Sequence, residues 1–397
     1  MNTLSTLGYT ISLMKRIYMD HNATSPIHPE VRETMLPFMG ELFGNPSSGH
    51  WAGREVSPHL EEARAHAARL VGAKPEEVTF TSGGTESDNW AIRGILRNRP
   101  GSHIITTSVE HPAVFNACLE MENEGYELTI VEVDRYGQVR PESIEKAIKV
   151  NTALITVMMA NNETGTINPI KEISSIARAR GIIMHTDAVQ AVGKIPLDVR
   201  ELGVDILSAS AHKFNGPKGI GFQFVRGGIE LKPLIVGGHQ EHGMRSGTEN
   251  VMGIVGMGKA CEVAMRDISG KEKLIRRLRD KLETGLRQSV PETVVNGHPT
   301  ERIYNTLNIS FKYIEGEALL SMMEMEGIAV STGSACSSGS TEPSRVLKAM
   351  KLAPLCSRGA IRFSLGLGTT EEDIEHCLRV IPPLALKFQE MSPFSGR

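Results

Sequence analysis

Cysteine is scarce and scattered in this sequence, with five residues at positions 118, 261, 336, 356 and 377 and no pair at CxxC spacing. An odd, dispersed set argues against a disulfide framework and against a local cysteine zinc site, and points to a reducing cytoplasm. Aromatic residues make up only 5% of the chain, and no uncharged apolar run reaches the roughly 18 residues that a membrane helix requires. Neither sign of charge is in excess: 43 Lys and Arg stand against 46 Asp and Glu, a net charge of −3. That balance leaves no electrostatic footprint for nucleic acid or for an anionic membrane surface. The opening stretch MNTLSTLGYTISLM lacks the basic start and long apolar segment of an export signal, and the basic pair Lys15-Arg16 follows it. Residues 1–16 are therefore expected to be a short extension, or the product of a start codon placed too early, ahead of a strand-like segment.

What is present is a chain of 397 residues, 40% apolar and 22% charged, long enough for two or three domains and at least one sizeable core. From residue 75 onward short β-branched runs alternate with amphipathic stretches: VTFT (78–81), HIITT (103–107), LTIVEV (128–133), ALITVM (153–158), GIIMHT (181–186), DILSAS (205–210) and GIGFQFV (219–225). This rhythm predicts an α/β fold with a mostly parallel sheet. Turn chemistry agrees: Thr85 is placed to open a helix after Gly83-Gly84, Pro141 starts another, and Gly181 follows a helix spanning Pro169 to Arg180. A long helical tract at about 250–289 carries no strand. New strands are expected at 306–311, 328–332 and 360–365, interleaved with helices. The expected division is a large domain over 17–260 and a smaller α/β domain over 261–397, the latter carrying a Ser/Gly loop at 331–340 with Cys336 in its middle.

Three segments carry the chemistry. In SASAHKFNGPKGIG, Lys213 closes a strand before a Gly/Pro turn, a setting in which a neutral amine can be selected and can condense with an aldehyde. An ordinary surface lysine is the competing reading. TSGGTES (81–87) places two glycines and Thr85 between a strand and a helix start, offering backbone N–H groups and a favourable dipole to a phosphate, although a plain turn would look the same. HTDAVQ (185–190) sets Asp187 at the carboxyl end of a strand, the edge where open α/β sheets bind ligands, and a carboxylate there can hold a protonated ring nitrogen. A phosphate cradle, a carboxylate and a lysine in that order are the parts that hold pyridoxal phosphate as an electron sink. A dinucleotide-binding oxidoreductase would instead need GxGxxG in the first βα turn, and GPKGIG has the wrong spacing and precedes a strand.

Other residues are less decisive. His111, in VEHPAVF, follows a strand end where an imidazole could stack on a cofactor or move a proton, or simply be satisfied by backbone at a helix start. His239, Glu241 and His242 could suggest a metal, but the flanking glycines oppose a helix that would align them, so no metal is expected. Cys118, Cys261 and Cys377 fall in helical patterns and read as small buried hydrophobes, whereas the loop around Cys336 offers no burial for its sulfur. The methionines 322, 323 and 325 read as core filler on a helix.

Taken together, YMDHNATSPIHPEV, FGNPSS, FTSGGTESDN, VEHPAV, MMANNETGTI, HTDAVQAVGK, SASAHKFNGPKGIG, GGHQEHGMRSGTEN, STGSACSSGS and IRFSLG resemble the cysteine desulfurases of the nitrogen-fixation and iron–sulfur assembly type, within the class-V aminotransferase fold. The resemblance runs from about Ile17 to Glu372. It implies a fold type I, aspartate aminotransferase-like architecture and pyridoxal 5'-phosphate as cofactor. By the same resemblance Lys213 holds the cofactor covalently and shuttles a proton, Asp187 partners the ring nitrogen, and Gln190 donates to the ring hydroxyl. Gly84, Thr85, Ser210 and His212 bind the phosphate, with Thr248 supplied from the opposite subunit of a homodimer, and His111 stacks on the ring. Asn162 and Arg362 grip the substrate carboxylate, with Asn22 in the nearby loop. Cys336 is the catalytic cysteine, in a loop like that of the branch with a long one.

The resemblance implies the conversion of L-cysteine to L-alanine, with Lys213 taking the Cα proton, Cys336 attacking the substrate sulfur to form a persulfide, and His111 handling the thiol proton. The sulfur acceptor it implies is an iron–sulfur scaffold protein in the cytoplasm. Two other readings compete: an aminotransferase or selenocysteine lyase of the same fold, which has no use for a tethered thiol, and a non-catalytic cluster scaffold, which would need several thiolates close in sequence.

Overall fold

The structure, a computed structural model, describes residues 15–332 and 344–393. Its strands are β1 (Ile17–Tyr18), β2 (Val78–Thr81), β3 (His103–Thr107), β4 (Glu127–Val131), β5 (Thr152–Thr156), β6 (Ile183–Asp187), β7 (Ile206–Ser210), β8 (Gly221–Val225), β9 (Thr293–Asn296), β10 (Thr306–Phe311), β11 (Ile328–Ala329) and β12 (Ala360–Ser364). Seven of them form one sheet in the order β2-β8-β7-β6-β5-β3-β4.

The sheet is parallel from β4 through β7, and β8 runs antiparallel to both neighbours, β7 and β2. The expectation of a mostly parallel sheet holds. The exception has a plain cause: only ten residues join β7 to β8, too few for a crossover helix, so the chain turns back directly. Because β8 reverses twice, β2 is parallel to β7, and the carboxyl ends of β2, β3, β5, β6 and β7 share one edge.

Adjacent residues of the central strands go to opposite faces. Ile104, Leu154, Ile183 and Ile206 meet Trp90 and Ile92 of the helix Gly84–Leu96 and Val114 and Met121 of the helix Pro112–Asn123. Ile105, Ile155, Met184 and Leu207 face Leu60 of the helix Trp51–Leu70, Ile173 of the helix Ile170–Ala179 and Met257 of the helix Val251–Ser289. With both faces covered, β3, β6 and β7 are buried end to end, polar residues such as Thr106, His185 and Ser208 included, so no solvent face imposes an apolar–polar alternation on them.

A second core gathers around the antiparallel sheet β12-β10-β9. The 39-residue helix Val251–Ser289 runs from one core to the other: Ile254, Met257 and Cys261 belong to the first, and Ile275, Leu278 and Leu282 to the second. Ile17 and Met19 also pack in the second core, where β1 pairs in parallel with β11. Strand β9 has no counterpart in the sequence reading. Its middle residues Val294 and Val295 are not buried, so no apolar alternation marks it. Among the described cysteines, 118, 261 and 377 are buried, as expected. Met323 is core, but Met325 is exposed.

Candidate active site

The shared edge of the sheet collects the sequence-predicted residues. Asp187 is the last residue of β6 and is 5% exposed, its Oδ1 accepting the Val189 N–H at 2.9 Å. Burial pushes its carboxyl up, against the opposing pull of His111, the Val189 N–H and Lys213. A cation placed against this carboxylate would therefore be held strongly, because the water that normally screens the charge is excluded.

Lys213 follows β7 in a short turn, Ala211–Lys213. Its Nζ donates to the carbonyl oxygens of Asn22, at 2.6 Å, and Ala23, at 2.8 Å. Both acceptors lie in the loop after β1, which also anchors the turn: the Ser25 N–H and hydroxyl donate to the His212 carbonyl at 2.9 and 2.7 Å.

The cradle lies between β2 and the helix Gly84–Leu96. The helix begins one residue earlier than the sequence suggests, with Gly83 as its N-cap at φ 147° and no side-chain cap to occupy its first-turn N–H groups. Space is tight here. A Cβ on Gly84 would come within 2.7 Å of Val189 Cγ2, and one on Gly221 within 2.7 Å of Gly83 Cα. Ser210, at the end of β7, places its Oγ 3.5 Å from where a Gly83 Cβ would be. Thr85 is exposed in the first helical turn.

Next to this cradle is a pair that the sequence reading missed. The Glu86 carboxylate takes the Ser82 N–H at 2.8 Å and is held by Arg245 at 2.9 and 3.3 Å. Burial would raise the Glu86 carboxyl, but Arg245 and Ser82 outweigh it and hold it below the usual range. The arginine thus offsets a negative charge that would otherwise oppose an anion at this helix start. No local spacing connects positions 86 and 245.

His111 serves as the N-cap of the helix Pro112–Asn123, its Nδ1 accepting the Ala113 N–H at 3.2 Å. The backbone-satisfied reading is thus realised at one ring nitrogen. It fixes the tautomer: with Nδ1 an acceptor, Nε2 carries the proton of the neutral ring. Burial holds this imidazole below its usual range despite the Asp187 carboxylate. His212 is likewise lowered, to about 4, by burial and by Lys213, Lys218 and Lys194, and its Nδ1 lies 3.1 Å from Thr24 Oγ1.

Asn22, 1% exposed, ties the site together. Its carbonyl accepts from Lys213 and from Gln190 Nε2 at 3.0 Å, and its Oδ1 accepts from Lys194 Nζ and Asn305 Nδ2, each at 3.1 Å. Its Nδ2 donates to the Asn162 carbonyl at 3.1 Å and to Thr306 Oγ1 at 2.8 Å. The same Asn162 carbonyl accepts Arg362 Nη1 at 3.1 Å, and Arg362 Nη2 pairs with Asp20 Oδ1 at 2.5 Å. Asp20 and Lys194 are the further site residues that sequence reasoning did not identify. Asp20 is two residues from Asn22 but meets its partner across 342 positions of chain.

Thr248 is exposed and lines a cleft with Ser82, Arg245, Gly247 and Asn250. Cys336 and most of its loop lie outside the described residues. Glu241, weighed as a metal ligand, is committed to Arg64 at 2.7 and 3.0 Å and to the Phe80 N–H at 2.9 Å.

This donor set fits pyridoxal 5'-phosphate. A glycine cradle that a single Cβ would fill faces a helix start, a buried carboxylate ends the strand beside it, and an amine approaches from the next strand.

The family profile of the class-V aminotransferases matches residues 17–377. The chain is 50% identical over 385 residues to the cysteine desulfurase IscS of Methanosarcina thermophila, covering 96% of this chain and 95% of that protein. Among solved structures it is similar to a NifS-like protein, with a TM-score of 0.89 and 39% identity over 94% of this chain and all of the other. It is also similar to SspA in complex with cysteine, with a TM-score of 0.78 and 34% identity over 88% of this chain and 99% of the other. The chain belongs to the class-V aminotransferase family, whose cofactor is pyridoxal 5'-phosphate, and within it to the cysteine desulfurases.

Proposed function

We propose that this chain removes sulfur from L-cysteine, releases L-alanine, and delivers the sulfur as a Cys336 persulfide for iron–sulfur cluster assembly. The observation that carries this reading is the convergence of Lys213, Asp187 and the glycine cradle on one strand edge. Lys213 would hold the cofactor, Asp187 its ring nitrogen and Gln190 its ring hydroxyl. Gly84, Thr85, Ser210 and His212 would hold its phosphate, joined by Thr248 of the second copy in a homodimer. When bound, the cofactor supplies an electron sink that acidifies the Cα–H of the amino acid joined to it.

The chain's own groups do the rest. Arg362 and Asn162 orient the substrate carboxylate, with Asn22 buttressing both through the Asn162 carbonyl. The Lys213 amine takes the Cα proton and later returns one. The Cys336 thiolate attacks the substrate sulfur, so an S–S bond forms as the Cβ–S bond breaks; the released pair is protonated, completing alanine. His111 would handle the thiol proton through Nε2, the ring nitrogen that backbone leaves available; Nε2 is protonated in the neutral ring, so it takes up the thiol proton only as it passes its own on. The acceptor of the persulfide is an iron–sulfur scaffold protein, and the setting is the cytoplasm. Among the described residues no helix is long and apolar enough to cross a membrane.

The test is to assay alanine and sulfide from L-cysteine with the wild type and Cys336→Ala. The variant should lose sulfur transfer while retaining the coloured, cofactor-loaded form. Sulfide release at the wild-type rate would remove Cys336 from the scheme, and a half-reaction yielding pyridoxamine phosphate would favour transamination.

A further inference from the structure

A second amine is buried beside Lys213, and the scheme above gives it no part. Lys194 is 5% exposed and directs its Nζ at two side-chain amide oxygens, Gln190 Oε1 at 2.6 Å and Asn22 Oδ1 at 3.1 Å. Burial, with the charges of Lys213, Lys271 and Arg362, holds this amine well below the ordinary lysine range. Such a residue is costly to bury, and a methionine would fill the same space without a polar atom to satisfy.

Its contacts bear on orientation. A glutamine amide can be turned end for end, and its partners decide which end points where. Here Oε1 is claimed by Lys194, while Nε2 donates to the Asn22 carbonyl at 3.0 Å. Turned over, Gln190 would set Oε1 against that carbonyl and Nε2 against the amine, losing both hydrogen bonds. Asn22 is locked in the same sense, with Nδ2 held by the Asn162 carbonyl and Thr306. The acceptor that Gln190 Nε2 reaches is also the one that Lys213 Nζ reaches, at 2.6 Å. The two donors therefore converge on one point, and in pyridoxal phosphate the ring hydroxyl is ortho to the aldehyde that a lysine amine would join.

We propose that Lys194 is a positioning residue, which donates to Gln190 Oε1 and so keeps the Gln190 Nε2 donor turned toward Lys213 and the ring hydroxyl of the cofactor. This rests on Gln190 being that hydroxyl's donor, as in the proposed function above.

The experiment is a double-mutant cycle on the full chain, read by the dissociation constant of pyridoxal phosphate for the stripped protein and by the visible absorption of the reloaded protein. Lys194→Met should weaken cofactor binding about tenfold and shift the absorption band, a change of the size expected for a misdirected hydrogen bond. In a Gln190→Ala background the same substitution should change the constant by less than about twofold and leave the band in place. Equal effects in both backgrounds would show that Lys194 acts independently of Gln190 and overturn the proposal, as would no effect in either. If Gln190→Ala alone leaves affinity and band unchanged, the assignment of Gln190 itself fails and the proposal falls with it. Should Lys194→Met not fold, a crystal structure of the loaded wild type decides: Lys194 Nζ within hydrogen-bond reach of Gln190 is expected, and the two turned apart would overturn the inference.

Discussion

The two sheets hold their site residues in different ways. On the seven-stranded sheet Asp187 and Ser210 end their strands, and His111 and Lys213 follow within a few residues of a strand end. Each is placed by local chain geometry, and each lies in a motif that can be read from sequence. On the three-stranded sheet Arg362 sits in the middle of β12, opposite Asn308 of β10, and is 2% exposed. Its guanidinium is placed by groups distant in sequence, Asp20 and the Asn162 carbonyl. The difference separates two tasks. Strand ends are open, so a ligand can approach them, while a charge with the carboxylate-orienting role proposed for Arg362 gains from a dry, pre-paired setting.

The largest expected effect is on the strand-end side. Lys213→Ala should lower desulfurase activity by up to about 10⁴-fold, the upper end of the worth of a positioned proton-transfer group, and should remove the borohydride-stable adduct. On the other side, Arg362→Ala should reduce kcat/KM for L-cysteine by about 10²-fold, mainly through KM, because a buried charge partner is removed and Asp20 is left without its guanidinium. The cofactor absorption should survive that change. If Arg362→Ala instead bleached the protein and left KM unchanged, the division of labour between the sheets would be wrong.

Gly84→Ala should produce an intermediate effect. Its Cβ meets Val189 Cγ2 at 2.7 Å, so the cradle must shift, at a cost of about 1–3 kcal/mol, and cofactor affinity should fall without loss of fold. Equilibrium dialysis of the stripped protein checks this.

The smallest effect concerns pH. Burial pushes the carboxyls of Glu110 to about 8 and of Glu163 to about 7, from an ordinary 4.5. A carboxyl whose pKa is higher folded than unfolded binds its proton more tightly in the fold. Its contribution is therefore complete below pH 4.5 and is lost as pH rises through 7 and 8. Glu110→Gln keeps an acceptor for Thr107 and the Met158 N–H. It should stabilise the protein by about 1–2 kcal/mol at pH 8 and by little at pH 5, as read from denaturant melts at both values.

How far the site was legible follows from the same contrast. The strand rhythm from residue 78 to 225 predicts the large sheet because both of its faces are buried and β-branched or aromatic residues recur in its strands. The reversal at β8 was not read as such, although the short, Gly/Pro-rich link at 211–220 carries that information. Lys213, Asp187 and the Gly83-Gly84 turn stand out because their spacing reflects local backbone requirements. Asp20, Lys194 and the Glu86–Arg245 pair were not seen. Each acts through partners brought in from distant strands, and a lone Asp, Lys or Glu in a sequence reads first as surface. Strand β9 was missed for a related reason: among the described residues it pairs only with β10, and its middle residues are left unburied, so the burial that writes a pattern into sequence is absent.

The central claim is that the amine of Lys213, and not that of neighbouring Lys194, carries the cofactor. Borohydride reduction of the purified, coloured protein followed by peptide mapping tests it most directly. The expected result is a single pyridoxyl adduct on the peptide containing Lys213, with Lys194 unmodified. An adduct on Lys194, or no adduct on either lysine, would contradict the account.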